Sequence, residues 1–283
     1  MAAPTPVTCV PVPPVLVASD LDRTLIYSRA ASSLPDGETV ALRCVETYLD
    51  EPASFMTEAA VAAVEAVGRA AVLVPVTTRT MAQLARVRLP GASRWAVAAN
   101  GGHLLHDGAP DAAWRHAVAA AVARSTPLAQ VHAHLSAVLD PAWTHALRVA
   151  DELFCYAVVR LDLLPVDLLP ELVAWAGTRG WRVSVQGRKV YAVPDPLTKS
   201  AAVRELARRL DADVVLAAGD SLLDADLLDA ADLAVKPAHG ELSAAGWTAA
   251  HVSTTRRDGV LGGEDVALWL LSQVRAATAT PAR

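Results

Sequence analysis

The chain has 283 residues, 53% of them hydrophobic, and its 25 Lys and Arg stand against 30 Asp and Glu, for a formal net charge of −5. This length allows one large domain or two smaller ones, while the charge and the lack of a dense basic cluster argue against a nucleic-acid-binding protein. The three cysteines are far apart and fit a cytoplasmic protein rather than a disulfide framework, and no uninterrupted apolar run is long enough for a membrane span.

The amino-terminal part predicts a lead, a strand and a hairpin. Residues 1–13 are rich in proline and lack the charged head and apolar core of a signal peptide, so we expect a disordered lead. Residues 15–19 form a short apolar run that is typical of a buried parallel strand, and Asp20 follows it directly. A β-prone stretch and an Asp-Glu-Pro turn then predict a β-hairpin flap at about residues 38–55. The alternative is a surface decoration without a catalytic role.

The next segments alternate between strand and helix. Thr57 is a good helix N-cap for residues 59–67, and residues 70–76 predict a second buried strand. A helix at about residues 80–87 and a third strand at 95–99 follow. This alternation predicts a parallel sheet with right-handed crossovers.

The pattern changes after this third strand. A hairpin, a mostly helical stretch and two strand pairs replace the alternation, and together they predict an inserted α+β domain at residues 104–190. Its predicted elements are a hairpin at 103–108, helices at 111–139 and 165–178, and strands at 146–149, 153–161, 181–185 and 189–193.

The alternating pattern then resumes to the end of the chain. The sequence therefore predicts an α/β protein: a Rossmann-like doubly wound parallel core formed by residues 14–103 and 191–283, carrying the α+β insertion as a cap. Hinges are expected near residues 100–103 and 193–198. The predicted elements of the second core part are helices at 198–210, 222–230 and 263–276 and strands at 214–218 and 233–235.

Polar side chains follow the predicted core strands and begin the helix after the insertion. The carboxyl ends of parallel strands are where open α/β sheets bind ligands. Two carboxylates as close as Asp20 and Asp22 repel each other, and Mg²⁺ is a counter-charge that suits a site shared with phosphate. Taken alone, residues 15–25 are equally compatible with a strand that is followed by an Asx-rich turn and forms no metal site. The full set is Asp20, Asp22, Thr77, Lys199, Asp220 and Asp224.

This ordered set resembles the motifs of phosphatases of the haloacid dehalogenase (HAD) superfamily. Residues 20–24, Asp-Leu-Asp-Arg-Thr, resemble its first motif, DxDxT; Thr77 and Lys199 resemble the second and third; residues 219–224 resemble the fourth, GDxxxD. The insertion between the second and third motifs resembles the large cap of subclass IIB, as in Cof-type sugar phosphatases, sucrose-phosphate phosphatase and mannosyl-3-phosphoglycerate phosphatase. The resemblance implies Mg²⁺-dependent hydrolysis of a small phosphorylated metabolite such as a sugar phosphate.

The resemblance also implies roles for these residues. Asp20 is the expected nucleophile that forms an aspartyl-phosphate, and Asp22 the general acid and then base. Thr77 is expected to donate hydrogen bonds to phosphate, with Thr78 as the competing candidate, and Lys199 to stabilise charge. The expected Mg²⁺ ligands are Asp20, Asp22 through its carbonyl, and Asp220, with Asp224 binding or orienting.

Three further segments are candidate substrate contacts. Asn100-Gly101-Gly102 resembles the Asn-Gly-Ala segment at the core–cap junction of capped relatives, although Asn-Gly is also a common turn pair. Arg79 follows the second strand and is expected either to touch the leaving group or to cap that strand. Arg188 and Lys189 lie on a predicted cap hairpin and face either the site or solvent.

The chain also departs from the family pattern. Arg23 stands where many relatives have glycine, Thr78 replaces the glycine of a Thr-Gly-Arg segment, and Leu223 replaces the asparagine of Cof-type members. With the long flap, these departures indicate a separate subgroup whose substrate need not be a hexose phosphate. The motifs do not name that substrate or the oligomeric state.

Three other functions compete with the phosphatase. A phosphomutase of the same superfamily would share every motif. A receiver-type signalling module also groups acids, a Thr or Ser and a Lys, but its acceptor aspartate lies on a middle strand and it has no cap. A catalytically silent binding protein is disfavoured because no motif carboxylate, nor Lys199, is lost.

Overall fold

The computed structural model describes residues 14–34 and 38–279, so the predicted disordered lead lies outside the described residues. The strands are β1 Val15–Ser19, β2 Leu42–Tyr48, β3 Glu51–Thr57, β4 Val72–Pro75, β5 Trp95–Ala98, β6 His103–His106, β7 Ala109–Pro110, β8 Thr144–Ala150, β9 Phe154–Val159, β10 Trp181–Gln186, β11 Lys189–Pro194, β12 Val214–Ala218, β13 Leu233–Lys236 and β14 Val252–Thr254. The α-helices are α1 Glu58–Ala70, α2 Met81–Leu84, α3 Ala112–Val122, α4 Leu128–Val138, α5 Leu168–Gly177, α6 Lys199–Leu210, α7 Ala225–Asp229, α8 Glu241–Ala244 and α9 Gly259–Ala279.

A five-stranded parallel sheet forms the centre of the molecule, in the order β14-β13-β12-β1-β4. Every residue of β1 is buried, and its side chains alternate between two hydrophobic clusters. Val15 and Val17 pack in the cluster that holds α1 and α9, whereas Leu16 and Ala18 pack in the cluster that holds α6 and α7. Helices on both faces of a parallel sheet confirm the predicted doubly wound core.

The third predicted core strand pairs differently from the prediction. β5 pairs antiparallel with β6, and a single parallel bridge between Val76 and Val97 links it to the chain that leaves β4. The Thr77 N–H continues this link by donating to Val97 O at 2.9 Å. A four-residue apolar strand has the same sequence pattern in a parallel and in an antiparallel sheet, so the sequence does not distinguish these two pairings.

Other differences lie at the ends of elements. Helix α2 stops at Leu84 because Arg88 N–H donates to Val45 O at 2.7 Å and Val87 bridges Glu46, so the chain extends along the flap. Helix α9 starts at Gly259, four residues before the prediction, and the three-residue strand β14 was not predicted.

The predicted flap is present as the antiparallel pair β2–β3. Its two-residue turn places Leu49 and Asp50 at positive φ, 51° and 63°, which is the backbone of a tight hairpin turn. Tyr27 and Phe55 exchange backbone hydrogen bonds of 2.9 and 2.8 Å, so the flap is tied to the chain that leaves β1. The flap therefore lies over the end of the sheet where Asp20 is found.

The insertion contains an antiparallel sheet, as expected for the predicted α+β domain, and its four strands lie in the order β10-β11-β9-β8. Its apolar side chains form a cluster with those of α3, α4 and α5, and Phe154 and Trp181 are among its fully buried members. We propose that this unit is the cap, predicted at residues 104–190, with its last strand β11 continuing to Pro194. None of the described helices combines the length and apolar character of a membrane span.

Candidate active site

Strand β1 carries two aspartates to the carboxyl end of the sheet. The Asp20 N–H donates to Ala218 O at 2.8 Å, which extends the pairing with β12 by one residue, and Asp20 is buried. The chain then turns back, and Arg23 takes a φ of 62° where the resemblance expects glycine. Asp22 lines a cavity, and 52% of its side-chain surface is accessible.

Lys199 is the buried cation of the site. Thr198 caps helix α6 by accepting from Ala201 N–H, and Lys199 is therefore the first helical residue. Its Nζ is fully buried and donates to Asp20 Oδ1 at 2.6 Å and to Asp224. Burial acts to lower the pKa of Lys199, but the charges of Asp20 and Asp224 outweigh it and raise the pKa above its ordinary value. The lysine therefore remains an ammonium group.

The fourth motif forms a tight loop after β12. Asp224 is fully buried, and its Oδ2 accepts hydrogen bonds from the backbone N–H groups of Asp220 and Ser221 at 3.2 and 2.9 Å and from Ser221 Oγ at 2.7 Å. A Cβ on Gly219 would lie 2.4 Å from the Asp224 Cβ, so a side chain does not fit there. With Lys199 on its other oxygen, Asp224 orients the loop that presents Asp220.

Three buried carboxylates meet beside this lysine. Asp20, Asp220 and Asp224 each offer an oxygen, and these oxygens lie within 4.8 Å of one another. Burial raises the pKa of Asp20 to about 7 although Lys199 opposes it, and burial together with the charges of Asp20 and Asp224 raises the pKa of Asp220. Lys199 and the half-exposed Arg23, whose Nε lies 3.8 Å from Asp220 Oδ2, do not neutralise three carboxylates. Hard oxygen donors with excess negative charge fit a divalent cation such as Mg²⁺.

The structure separates the two candidate threonines. Thr77 is fully buried, and its Oγ1 accepts the Arg79 N–H at 3.1 Å. Thr78 lines the cavity instead. The predicted hydrogen bond from Thr77 to phosphate stays a prediction.

Asp22 is held by an arginine, and that arginine is held by the flap. Arg79 donates to both Asp22 oxygens at 2.7 Å and, through Nη2, to Glu46 Oε2 of β2 at 2.9 Å, and its Nη1 forms an ion pair with Glu46 Oε1 at 2.8 Å. Burial acts to raise the pKa of Asp22, but hydrogen bonds from Arg79 and its charge outweigh it, so this pKa is lowered. Glu46 is a residue that the sequence reasoning missed, because a single glutamate in a β-prone stretch carries no signal of burial.

The carboxylates open into a cavity of about 590 Å³ between the core and the insertion. The hairpin between β10 and β11 lines the other side with Arg188, Lys189 and Tyr191. Gln186 Nε2 on this hairpin donates to Ser221 Oγ at 2.7 Å, which brings the hairpin into contact with the fourth motif.

The remaining two predicted residues lie beside the start of α6, and they are not among the cavity-lining residues of the described chain. Asn100 is buried and its Nδ2 donates to Leu197 O at 2.8 Å. Gly101 has a φ of 94°, and a Cβ there would lie 2.0 Å from Thr198 O. They brace the segment that carries Lys199, and their predicted substrate contact stays a prediction.

No protein-family model matches the chain, and the curated proteins contain no matching sequence. Solved structures do match it. The sucrose-phosphatase of Synechocystis sp. PCC6803, in complex with sucrose and phosphate, is 14% identical with a TM-score of 0.63, and the match covers 93% of this chain and 99% of that chain. The subclass IIB sugar phosphatase BT4131 of the HAD superfamily is 11% identical with a TM-score of 0.58, covering 91% and 98%.

A third structure agrees with these two. The C-terminal domain of the trehalose-6-phosphate phosphatase of C. albicans is 14% identical with a TM-score of 0.54, and the match covers 92% of this chain and 93% of that chain. At such identities the likeness is one of fold. The chain therefore shares the fold of these three solved structures, which confirms the predicted fold class.

Proposed function

From this shared fold and from the buried pair of Asp20 and Lys199, we propose that the protein is a Mg²⁺-dependent phosphatase that hydrolyses a small phosphorylated metabolite, such as a sugar phosphate. The observation that carries the proposal is the placement of Asp20 in the lining of the cavity, 2.6 Å from the Lys199 ammonium and two residues from Asp22. The separated cysteines support a cytoplasmic location.

Asp20 and Asp22 divide the chemistry between them. In the first step a bond forms between an Asp20 oxygen and phosphorus, the bond from phosphorus to the leaving oxygen breaks, and protonated Asp22 gives that oxygen its proton. Because Arg79 lowers the pKa of the free Asp22 carboxyl, Asp22 has to take up this proton when the anionic substrate binds. In the second step water attacks the aspartyl-phosphate, Asp22 takes the proton of the water, and phosphate leaves. Asp20 is regenerated as a carboxylate.

Lys199 and the carboxylate cluster handle the charge. The Lys199 ammonium offsets the negative charge of Asp20 as it approaches an anionic phosphate, and its burial makes this interaction stronger than in water. Asp20, Asp220 and the Asp22 carbonyl would hold Mg²⁺, while Asp224 fixes the loop. When bound, the ion would supply further positive charge to the phosphate oxygens.

The cavity supports a small-molecule substrate. A volume of about 590 Å³ lies in the range of ligand sites. Arg188, Lys189 and Tyr191 face it from the insertion, so polar parts of a substrate beyond the phosphate would meet this hairpin. The neighbouring structures named for sucrose-phosphatase and sugar phosphatase support a sugar phosphate.

Phosphate release from a panel of sugar phosphates, nucleotides and phosphoglycerates, measured with and without Mg²⁺, tests the proposal. We expect Mg²⁺-dependent release that Asp20→Asn abolishes, whereas Asp162→Asn, with 71% of its side chain exposed on the insertion, leaves it unchanged. A product that keeps its phosphate at a new position would identify a phosphomutase instead. Release that survives in Asp20→Asn would contradict the assignment of the nucleophile.

A further inference from the structure

Arg79 bridges two carboxylates from different parts of the chain. Its Nε and Nη2 donate to the two oxygens of Asp22 at 2.7 Å, and its Nη1 and Nη2 lie 2.8 and 2.9 Å from the oxygens of Glu46. Only 12% of the Arg79 side chain is exposed. Among the described residues, Arg79 makes the only side-chain hydrogen bonds to Asp22.

Glu46 is built into the flap rather than exposed on it. The pairing of β2 with β3 is irregular on both sides of Glu46, and Val45 and Glu46 are both buried as a result. The Glu46 carboxylate also accepts hydrogen bonds from Ser54 Oγ at 2.7 Å and from Arg86 Nε at 3.2 Å. A buried carboxylate is costly unless it is paired, and here every partner fixes its position.

A planar guanidinium that donates hydrogen bonds to two carboxylates has little rotational freedom. Glu46 therefore sets the plane of Arg79, and Arg79 sets the direction of the half-exposed Asp22 side chain. We propose that Glu46 is a positioning residue, which acts through Arg79 to aim Asp22 at the leaving oxygen of the substrate. The inference rests on the proposed function, in which Asp22 is the general acid.

Two substrates that differ in their leaving group distinguish a positioning role of Glu46 from a merely structural one. A poor leaving group such as phenolate needs the proton of Asp22, whereas p-nitrophenolate departs without it. The value of kcat/KM covers only the steps up to departure of the leaving group, so it isolates the acid step from the later hydrolysis. General acid catalysis contributes about 10²–10⁴-fold, and we expect Glu46→Gln to lower kcat/KM for phenyl phosphate by about 10–100-fold. For p-nitrophenyl phosphate the loss stays below about threefold.

Two further variants make the test decisive. Arg43→Ala lies on the same strand, in an exposed pair with Glu58, and should leave both substrates within about twofold of wild type. Glu46→Asp keeps the charge but shortens the side chain. Its ratio of kcat/KM for phenyl phosphate to kcat/KM for p-nitrophenyl phosphate should lie between those of wild type and Glu46→Gln. If Glu46→Gln does not fold, Glu46→Asp decides by the same ratio.

The outcomes separate the inference from the proposed function. A selective loss on phenyl phosphate supports the positioning role. Equal losses on both substrates, or none, with an active wild type would overturn that role and leave the phosphatase intact. A wild type that hydrolyses neither substrate would overturn the proposed function, and the inference with it.

Discussion

Replacing the buried lysine tests the electrostatics of the site. Lys199→Met keeps the length of the side chain but removes the ammonium that binds Asp20 and Asp224. Breaking a buried ion pair by removing one partner costs about 3–5 kcal/mol. Because the cavity admits water near Asp20, we take the lower end and expect a loss of about 3 kcal/mol in the free energy of unfolding at pH 8.

The same variant should recover part of this loss in acid. Burial already raises the pKa of Asp20 and Lys199 opposes that rise. Without Lys199 the folded-state pKa of Asp20 therefore lies further above its unfolded value, and the folded state binds more protons than the unfolded chain. Stability of this kind is present at low pH and is lost as pH rises through the folded-state pKa. We therefore expect the deficit to shrink to about 1 kcal/mol at pH 5.

Urea unfolding at pH 5 and pH 8, with a chelator present, measures both values. The matched control is Lys236→Met in β13, the strand beside β12 in the central sheet. Lys236 is also buried, but it donates to Ser243 Oγ at 2.7 Å and forms no ion pair with a described residue. Its loss should cost less than about 1 kcal/mol. Equal costs for the two lysines, or a Lys199→Met deficit that does not depend on pH, would refute the reasoning.

Three further predictions concern the metal, the hinge and the contact between insertion and core. Mg²⁺ at about 100 times its dissociation constant should stabilise wild type by about 2.7 kcal/mol, measured by thermal unfolding, and should stabilise Asp220→Asn far less. An equal stabilisation of both proteins would exclude Asp220 as a ligand. Gly101→Ala should cost several times the ~1 kcal/mol that a left-handed alanine costs at Gly108. Both glycines have positive φ, but of the two only Gly101 would bring a Cβ to 2.0 Å from a carbonyl oxygen; equal urea midpoints would contradict this. Arg209 hydrogen bonds lower the pKa of Asp111 to about 2, so Arg209→Ala should lose about 1 kcal/mol at neutral pH and the difference should vanish as pH falls from 4 towards 2; a deficit that persists at pH 2 would contradict it.

Much of the site was predictable because parallel strands end at one edge of a sheet. Asp20 follows β1 and Asp220 follows β12, and these strands are neighbours, so their side chains meet without any special contact. Lys199 was predictable for a similar reason, since it starts the helix after the insertion. In each case a local pattern and one topological rule fix the position.

The rest depends on contacts that no local pattern records. Glu46 reaches Arg79 only because an irregularity in β2 turns it inward and the flap folds over the sheet. Leu223, which stands in place of the expected asparagine, is buried in the cluster formed by the insertion. Both are side-chain contacts between segments that are distant in sequence, and no local sequence pattern predicts them.

The central claim is that Asp20 carries the phosphoryl group, and trapping that intermediate tests it most directly. In Asp22→Asn the second step lacks its base, whereas p-nitrophenyl phosphate still reacts in the first step because its leaving group needs no proton. Acid quenching followed by peptide mass spectrometry should find one phosphoryl group on the peptide that contains Asp20, and none when Asp20→Asn is added. A phosphoryl group on another residue, or steady phosphate release with no labelled peptide, would contradict the account.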